Sequence, residues 1–350
     1  MKTRVLKIDD LNRDCNLIGE AAELIKAGEV VAFPTETVYG LGANALDSQA
    51  VEKIFRAKGR PGDNPLIVHV SNVRDVDKLV DEVPRRARIL MEAFWPGPLT
   101  MVFRKASIIP DRVTAGLDTV AIRMPNHPVA LRLIDFSGLP VAAPSANRSG
   151  HISPTTAQHV LEDLDGRIPL ILDGGKCCVG LESTVLDLTA DVPVILRPGG
   201  VTLEMLEEVL GEVRVDLNVL RPVAGGQKVK SPGMKYTHYA PRAQVLIVRG
   251  ELAHIVKRIN ELAEEYADQG IKTGILATQE TKDCYKKGEV LVLGKRTRPA
   301  EMASNLFLVL REFDVRGVDV VLAEWVDTSN EGLAIMNRMV RAAGFNVIDV

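Results

Sequence analysis

Residues 211–242 most constrain what this chain can fold into, because they separate two segments with different apolar patterns. Within them, the stretch VAGGQKVKSPGMKYTHYAPR is rich in Gly, Pro, Lys and Tyr and has no apolar period. A connection of this length without secondary structure is usually either disordered or functional, and its Tyr and His residues favour a function. The sequence therefore predicts two domains, residues 1–210 and 243–350, joined by a linker over residues 211–242.

The first segment mixes short apolar runs and helical patterns in an irregular order. Helices are predicted over 16–27 and 85–94, and further helices begin after the predicted N-caps Ser48 and Ser153. Apolar runs such as VVAF, PLIVHV, TVAIRM and PVILR predict strands. Because a regular parallel series would alternate more evenly, this order predicts a mixed twisted sheet with helices.

The second segment alternates more cleanly. The runs QVLIV, TGIL, EVLVL, VDVVLAEW and NVIDV predict strands, and helical patterns begin at Glu251, Ala300 and Gly332. This alternation predicts a small Rossmann-like, doubly wound α/β domain.

Composition excludes several broad classes of protein. The 350 residues are 46% hydrophobic and 25% charged, with a formal net charge of -3, so neither global disorder nor a dedicated nucleic-acid binder is indicated. No apolar stretch approaches the roughly 20 residues that span a bilayer, so we expect a soluble, cytoplasmic protein with no membrane partner. The four cysteines form no C-x-x-C pair and are expected to be reduced, without structural zinc.

The stretch PTETVYGLGANA follows the buried strand VVAF. Its glycines, Gly40 and Gly42, let backbone approach another group closely. The sequence therefore predicts a close approach at this turn, next to Thr37.

A basic cluster precedes the turn PGDNP. Arg56, Lys58 and Arg60 lie at the end of a predicted helix, where cations can simply complement the helix dipole. The rigid turn instead favours a clamp for polyphosphate, since it holds the cations beside the next strand. His69, a single histidine between valines, is by default an ordinary core residue.

A second polar cluster, PVAAPSANRSGHISPTTA, leads from a small-residue strand into a loop before a helix. Its hydroxyl, amide and backbone donors suit phosphate oxygens, although the same residues can form a plain polar loop. No Walker sequence, G-x-G-x-x-G motif, Ser/His/Asp elbow or zinc-helix motif is present.

Three of these motifs together resemble the YrdC-like threonylcarbamoyl-AMP synthases: PTETVYGLGANA, Lys58-x-Arg60 followed by PGDNPL, and Ser145-x-Asn147. The linker SPGMKYTHYAP and the α/β tail resemble the long two-domain form of that family. The resemblance implies that L-threonine, bicarbonate or CO2, and ATP give threonylcarbamoyl-AMP and pyrophosphate. That product serves tRNA modification by another enzyme.

The resemblance also implies the site residues. Those implied for ATP are Lys58, Arg60, Asn64, Thr119, Ser145, Asn147, Ser153, Arg197, Tyr236 and His238. Those implied for threonine are Thr37, His69, Arg123, Ala143 and Ser183. The implied catalytic residues are Lys58, Arg60, Ser145 and Asn147, and Arg123 suits a carboxylate because its guanidinium binds bidentately. Magnesium is expected through the ATP phosphates, with no protein ligand.

The linker is expected to fold over the site as a lid, because it carries Tyr236 and His238. The expected partners are a tRNA threonylcarbamoyl transferase, which receives the product, and tRNA through a weak contact. Two alternatives stay open at this point. One is a non-catalytic tRNA-binding module with a basic groove, against which the near-neutral composition counts, and the other is a hydrolase of nucleotides or carbamoyl groups.

Overall fold

The computed structural model describes residues 2–222 and 239–350, and the chain divides into two compact units. Of the described residues, 2–149 and 153–219 belong to the first unit, and 150–152, 220–222 and 239–350 belong to the second. Each unit has its own sheet.

The strands of the first unit form one sheet in the order β1-β8-β2-β3-β7-β4-β6-β5-β9-β10-β11. They are β1 (Arg4–Lys7), β2 (Val31–Phe33), β3 (Gly40–Asn44), β4 (Ile67–His69), β5 (Leu99–Arg104), β6 (Thr119–Arg123), β7 (Val141–Ala142), β8 (Leu170–Asp173), β9 (Thr184–Asp187), β10 (Val194–Arg197) and β11 (Arg214–Val215). β4 and β6 are parallel, whereas β5 and β6 are antiparallel. The predicted mixed sheet is therefore confirmed.

Helices cover both faces of this sheet. They are α1 (Cys15–Lys26), α2 (Ser48–Lys58), α3 (Val76–Leu79), α4 (Arg85–Phe94), α5 (Asp111–Thr114), α6 (Pro128–Ser137), α7 (Ala157–Leu164) and α8 (Leu203–Leu210). Because side chains alternate along a strand, Val31 and Phe33 of β2 pack with α1 and α6, while Ala32 packs on the opposite face with α2 and α4. Short 3₁₀ turns occur at Val73–Asp75 and Leu217–Val219.

The second unit has a parallel sheet in the order β14-β13-β15-β12-β16. Its strands are β12 (Gln244–Arg249), β13 (Thr273–Ala277), β14 (Glu289–Val292), β15 (Val320–Glu324) and β16 (Val347–Asp349). Its helices are α9 (Leu252–Asp268), α10 (Pro299–Arg316) and α11 (Glu331–Ala342), with a 3₁₀ turn at Lys282–Cys284. The predicted Rossmann-like α/β architecture is confirmed.

Both predicted N-caps of the first unit are wrong. The carboxylate of Asp47, one residue before Ser48, accepts from the amide of Gln49 and caps α2. Thr156 caps α7 by accepting from the amide of His159. The hydroxyl of Ser153 instead donates to Glu182 at 2.5 Å.

The close approach predicted at Gly40 and Gly42 exists, but its partner is the protein itself. Both glycines lie on β3, and a Cβ atom built at Gly42 would lie 2.7 Å from both the Phe33 ring and Val141. Packing between β2, β3 and β7 therefore explains Gly42, and the expected role of Thr37 beside this turn stays a prediction.

The region expected to be a linker begins with ordered structure. β11 pairs in parallel with β10, so the first sheet extends to residue 215. Residues 223–238 lie outside the described part of the chain. In the part that is described, no helix has the length and apolar character needed to cross a membrane.

Candidate active site

Lys58 joins two motifs that lie far apart in the sequence. Its Nζ donates to the carbonyl oxygen of Ser145 at 2.5 Å and to that of Asn147, and it lies 3.5 Å from Asn147 Oδ1. Lys58 is the last residue of α2, and Gly59 ends the helix in the left-handed conformation that glycine favours. The basic cluster and the Ser145-x-Asn147 motif thus meet at one buried ammonium group.

The loop after β7 is held in a defined conformation around this ammonium. The Ser145 hydroxyl donates to Asn147 Oδ1 at 2.5 Å, and the Ser149 amide donates to the carbonyl oxygen of Lys58 at 2.9 Å. Gly40 of β3 forms an isolated bridge with Ser145. These bonds fix the hydroxyl and amide groups that were predicted to contact phosphate oxygens.

Burial and the positive charge of Arg60 hold the pKa of Lys58 well below its ordinary value, against the opposing effect of Asp163 and Glu182. Arg60 itself donates to the carbonyl oxygens of Asn64 and Pro65 at 3.3 and 3.2 Å, so it braces the turn that follows it. We call Lys58, Arg60, Asn64, Ser145 and Asn147 the Lys58 cluster.

Asn64 is buried, and its Oδ1 accepts no hydrogen bond from the described residues. A buried amide oxygen of this kind is normally satisfied, because leaving it unpaired costs free energy. Asn64 therefore has an acceptor to offer to a ligand that donates.

A second group of polar side chains surrounds Arg123, at the end of β6. Its guanidinium donates to Thr37 Oγ1 at 2.9 Å and to the Gly97 carbonyl oxygen at 3.2 Å, and it lies 2.7 Å from Glu36 Oε1. The side chains of Arg123 and Glu36 are each only 4% exposed. Arg123 is thus a fixed, buried cation, whereas a strand residue facing solvent would be exposed.

Ser183 lies in the same region and has two partners. Its hydroxyl is 2.7 Å from that of Thr100, which is the register partner of Arg123 on β5. Arg197, at the end of β10, donates to both the hydroxyl and the carbonyl oxygen of Ser183. Arg197, which the resemblance assigns to ATP, thus contacts a residue assigned to threonine, and its role toward ATP stays a prediction.

His69 is the register partner of Arg123 on the neighbouring strand β4. Burial, and then the charge of Arg123, lower the pKa of His69 to about 3, so its ring is neutral at physiological pH. The ring contacts Phe33 edge-on, with 6.2 Å between centroids. We call Glu36, Thr37, His69, Arg123 and Ser183 the Arg123 cluster.

The other predicted site residues lie outside these two clusters, and some lie outside the described part of the chain. The backbone amide of Ala143 donates to the carbonyl oxygen of Ile67 at 2.9 Å, and Ile67 lies on β4, the strand that carries His69. Thr119, which was predicted to bind ATP, begins β6, about 13 Å along the strand from Arg123, and its assignment stays a prediction. Ser153 contacts Glu182, the neighbour of Ser183. Tyr236 and His238 lie outside the described residues, so their expected role as a lid stays a prediction.

Sequence reasoning missed Glu36, Thr35 and Thr100. Glu36 lies within the quoted motif PTET, and a carboxylate directly after a buried strand was the signal that could have identified it. Among residues 2–222 and 239–350, no group of three or more His, Cys, Asp or Glu side chains could hold a metal ion.

Two family models match this chain. Residues 23–199 match the Sua5/YciO/YrdC model, described as telomere recombination, and residues 201–344 match the model of the threonylcarbamoyl-AMP synthase C-terminal domain. Together the two models cover most of both units.

Curated relatives match along nearly the full length. The chain is 50% identical to the threonylcarbamoyl-AMP synthase of Pyrococcus abyssi over 333 residues, covering 94% of this chain and 95% of the relative. It is also 50% identical to that of Bacillus subtilis over 341 residues, with 97% and 96% covered. Among solved structures, P. abyssi Sua5 complexed with L-threonine matches with a TM-score of 0.94 and 48% identity, covering 99% of this chain and 100% of the other.

Proposed function

Because the chain belongs to the threonylcarbamoyl-AMP synthase family, we propose that the Lys58 cluster and the Arg123 cluster form one active site for ATP and L-threonine. The chain is a nucleotidyltransferase that joins L-threonine, bicarbonate or CO2, and ATP into L-threonylcarbamoyladenylate, releasing pyrophosphate. This adenylate is the first intermediate in threonylcarbamoyladenosine modification of tRNA.

The observation that carries the assignment of ATP is the position of the Lys58 ammonium. Lys58 and Ser145 are 87 residues apart in sequence, yet their contact gathers one cation, one hydroxyl and one amide in a small volume. Displacement of pyrophosphate from the α-phosphate needs alignment and neutralised charge more than a strong base. Lys58 and Arg60 supply the charge, and Ser145 and Asn147 supply oriented polar atoms.

We propose that Mg²⁺ enters this site as a companion of ATP. Mg²⁺ is commonly bound through substrate phosphates and its own water ligands, and the described residues offer no carboxylate cluster for it. When bound, the ion would neutralise charge on the phosphates, and the side-chain roles given above do not depend on it.

Arg123 is the proposed partner of the threonine carboxylate. Its guanidinium is buried and fixed by Thr37 and Gly97, so little conformational freedom is lost when a carboxylate binds. The Thr37 hydroxyl accepts from this cation, and the Ser183 hydroxyl lies 2.7 Å from that of Thr100, the register partner of Arg123. Both hydroxyls are suited to a hydroxylated amino acid. The solved relative that contains L-threonine supports a pocket of this kind.

The remaining expectations are proposals about partners. The product is a mixed anhydride of a carbamic and a phosphoric acid, so a transferase must consume it before water does. We propose that a tRNA threonylcarbamoyl transferase receives it in the cytoplasm and that direct contact with tRNA is weak. A non-catalytic RNA-binding module is not favoured, because the chain matches enzymes over nearly its full length.

The experiment that tests this function identifies the product. Purified protein with ATP, Mg²⁺, L-threonine and ¹³C-bicarbonate should give an adenylate whose mass contains AMP, threonine and one labelled carbon. Tandem mass spectrometry should place the label between the threonine nitrogen and the phosphate. Formation of AMP or ADP without this adduct would contradict the proposal and favour a hydrolase.

A further inference from the structure

Glu36 is a buried carboxylate whose two oxygens lack well-aligned hydrogen-bond donors among the described residues. Its side chain is 4% exposed and 2.7 Å from Arg123, but neither of its oxygens accepts a well-aligned hydrogen bond from the described residues. Buried carboxylates are normally both paired and hydrogen-bonded, because a desolvated anion otherwise costs several kcal/mol. The position of Glu36 therefore suits a donor that arrives with a ligand.

The backbone fixes Glu36 in this position. Its carbonyl oxygen accepts from the Val179 amide at 2.7 Å. The hydroxyl of Thr35 accepts from the amides of Thr37 and Val38, both at 3.2 Å, which closes a tight turn around Glu36. These bonds fix the backbone at Glu36, and the ion pair with Arg123 positions its carboxylate.

Arg123 and Glu36 together match the charges of a free amino acid. An α-amino acid carries a carboxylate and an ammonium group on one carbon atom, and this pair offers a cation and an anion in contact. We propose that Glu36 binds the ammonium group of L-threonine and accepts its proton, which creates the amine nucleophile. This inference rests on the proposed function and assigns a further catalytic residue in the same site.

The step balances in atoms and charge. The ammonium gives one proton to the Glu36 carboxylate, which leaves the neutral amine and a carboxylic acid. The nitrogen lone pair then attacks the carbon of bicarbonate and forms the N–C bond. The C–O bond to the hydroxyl group breaks, and the hydroxyl leaves as water with a second proton from the nitrogen. The resulting carbamate oxygen then attacks the α-phosphorus of ATP and forms a new O–P bond. The bond from the α-phosphorus to the oxygen that bridges it to the β-phosphorus breaks, pyrophosphate leaves, and the proton on Glu36 returns to solvent.

Other titratable groups near Glu36 are less suited to this role. Burial lowers the pKa of His127 although the charge of Glu36 opposes this, and its Nδ1 already accepts from the Val129 amide. Burial raises the pKa of the Cys177 thiol, so it stays protonated, and Cys178 reaches only the carbonyl oxygen of Glu36. His69 lies beyond Arg123 and is held neutral. Glu36 supplies the negative charge that attracts an ammonium group.

The first test measures binding without turnover. Calorimetry compares L-threonine with 3-hydroxybutanoate, which is threonine without its amine, for the wild type, Glu36→Gln and the control Glu29→Gln. Glu29 forms a surface ion pair with Lys53 at 2.8 Å in the same unit. We expect Glu36→Gln to lose about 10- to 100-fold in affinity for threonine and little for 3-hydroxybutanoate, with Glu29→Gln unchanged. An equal loss for both ligands would reduce Glu36 to a structural partner of Arg123.

The second test measures the pH profile of kcat/KM for threonine. Without a proton acceptor, only the free amine of threonine reacts. The kcat/KM of Glu36→Gln should therefore rise about tenfold for each unit of increase in pH, up to the pKa of that amine. The wild type should be flat over the same range, and Glu36→Asp should be flat at a lower level. A uniform, pH-independent loss in Glu36→Gln would overturn the proposal, and so would the sloping profile in His127→Asn instead.

Two controls keep the outcomes distinct. If the wild type makes no labelled adenylate, the proposed function is wrong. If the wild type is active and Glu36→Gln has the same pH profile, the function stands and only the role of Glu36 is wrong. If Glu36→Gln does not fold, the affinities of the wild type for the two ligands test the proposal instead. The wild type must then bind threonine at least about tenfold more tightly than 3-hydroxybutanoate, and equal affinities would contradict the role of Glu36.

Discussion

Arg197 donates two hydrogen bonds to Ser183, from Nε to the carbonyl oxygen and from its terminal nitrogen to the hydroxyl, both at 3.1 Å. The pair joins the end of β10 to the start of β9, and the same hydroxyl lies 2.7 Å from that of Thr100. A residue expected to contact ATP thus orients a residue expected to contact threonine. If both assignments hold, this contact couples the binding of the two substrates.

Arg197 and Ser183 should therefore behave as one unit in a double-mutant cycle. Arg197→Lys keeps the charge but loses the paired bonds, and Ser183→Ala removes the hydroxyl. We expect each change to raise the KM for threonine by about tenfold, and the double variant to be no worse than the poorer single variant. Steady-state kinetics of all four proteins measures this. Additive effects would show that the contact has no role in binding threonine.

Arg60 should contribute to turnover, whereas Arg56, which lies in the last turn of α2, should not. If Arg60 neutralises charge on the leaving pyrophosphate, Arg60→Ala should lower kcat by about 10²- to 10³-fold with little change in threonine affinity. Arg56→Ala is the matched control, because the Arg56 side chain is 77% exposed and pairs with Glu52 at 3.6 Å. Single-turnover kinetics separates chemistry from binding. Equal kcat values for both variants would remove Arg60 from the catalytic residues.

Lys58 should take up a proton when ATP binds. Burial and Arg60 lower its pKa in the free protein, and the negative charge of a triphosphate should raise it. Protons are then bound between the two pKa values, so ATP affinity should fall as the pH rises through this window. Calorimetry in two buffers with different heats of ionisation reports the uptake, and Lys58→Met should abolish it. A heat independent of the buffer in the wild type would show that Lys58 keeps its charge state.

His69 should make the protein less stable in acid. Its pKa is about 3 in the folded protein and 6.5 ordinarily, so the unfolded state binds more protons between these values. The stability it contributes is therefore complete above pH 6.5 and falls as the pH is lowered toward 3, by up to about 1.4 kcal/mol per pH unit. Urea unfolding over this range should show a shallower slope for His69→Gln than for the wild type. The exposed His254→Gln is the control, and identical slopes for all three proteins would contradict the buried, neutral state of His69.

The sequence predicted architecture better than it predicted contacts. The regular alternation after Gln244 predicts the parallel sheet, because each apolar run must be buried between helices. β3 was missed, since its glycines are typical of turns, and only the tertiary contact with Phe33 explains them. The N-cap of α2 was misplaced by one residue, because Asp47 and Ser48 are both good caps and local geometry decides between them.

The candidate site was predictable as motifs but not as an arrangement. Lys58 and Ser145 each lie in a recognisable polar stretch, yet their contact follows from the order of strands in the sheet, with β3 beside β7. Glu36 was missed because a single glutamate in a loop is usually exposed. Its burial, and its pairing with Arg123, require the chain to close over it.

The most direct measurement of the central claim is pyrophosphate release from ATP under four conditions: with threonine and bicarbonate together, with each alone, and with neither. One active site that forms the N–C bond before attack on the α-phosphate predicts rapid release only when both are present, and loss of that release in Arg123→Gln. Bicarbonate must be depleted by degassing in the conditions that omit it. Pyrophosphate release at the same rate without threonine, or without bicarbonate, would contradict the account.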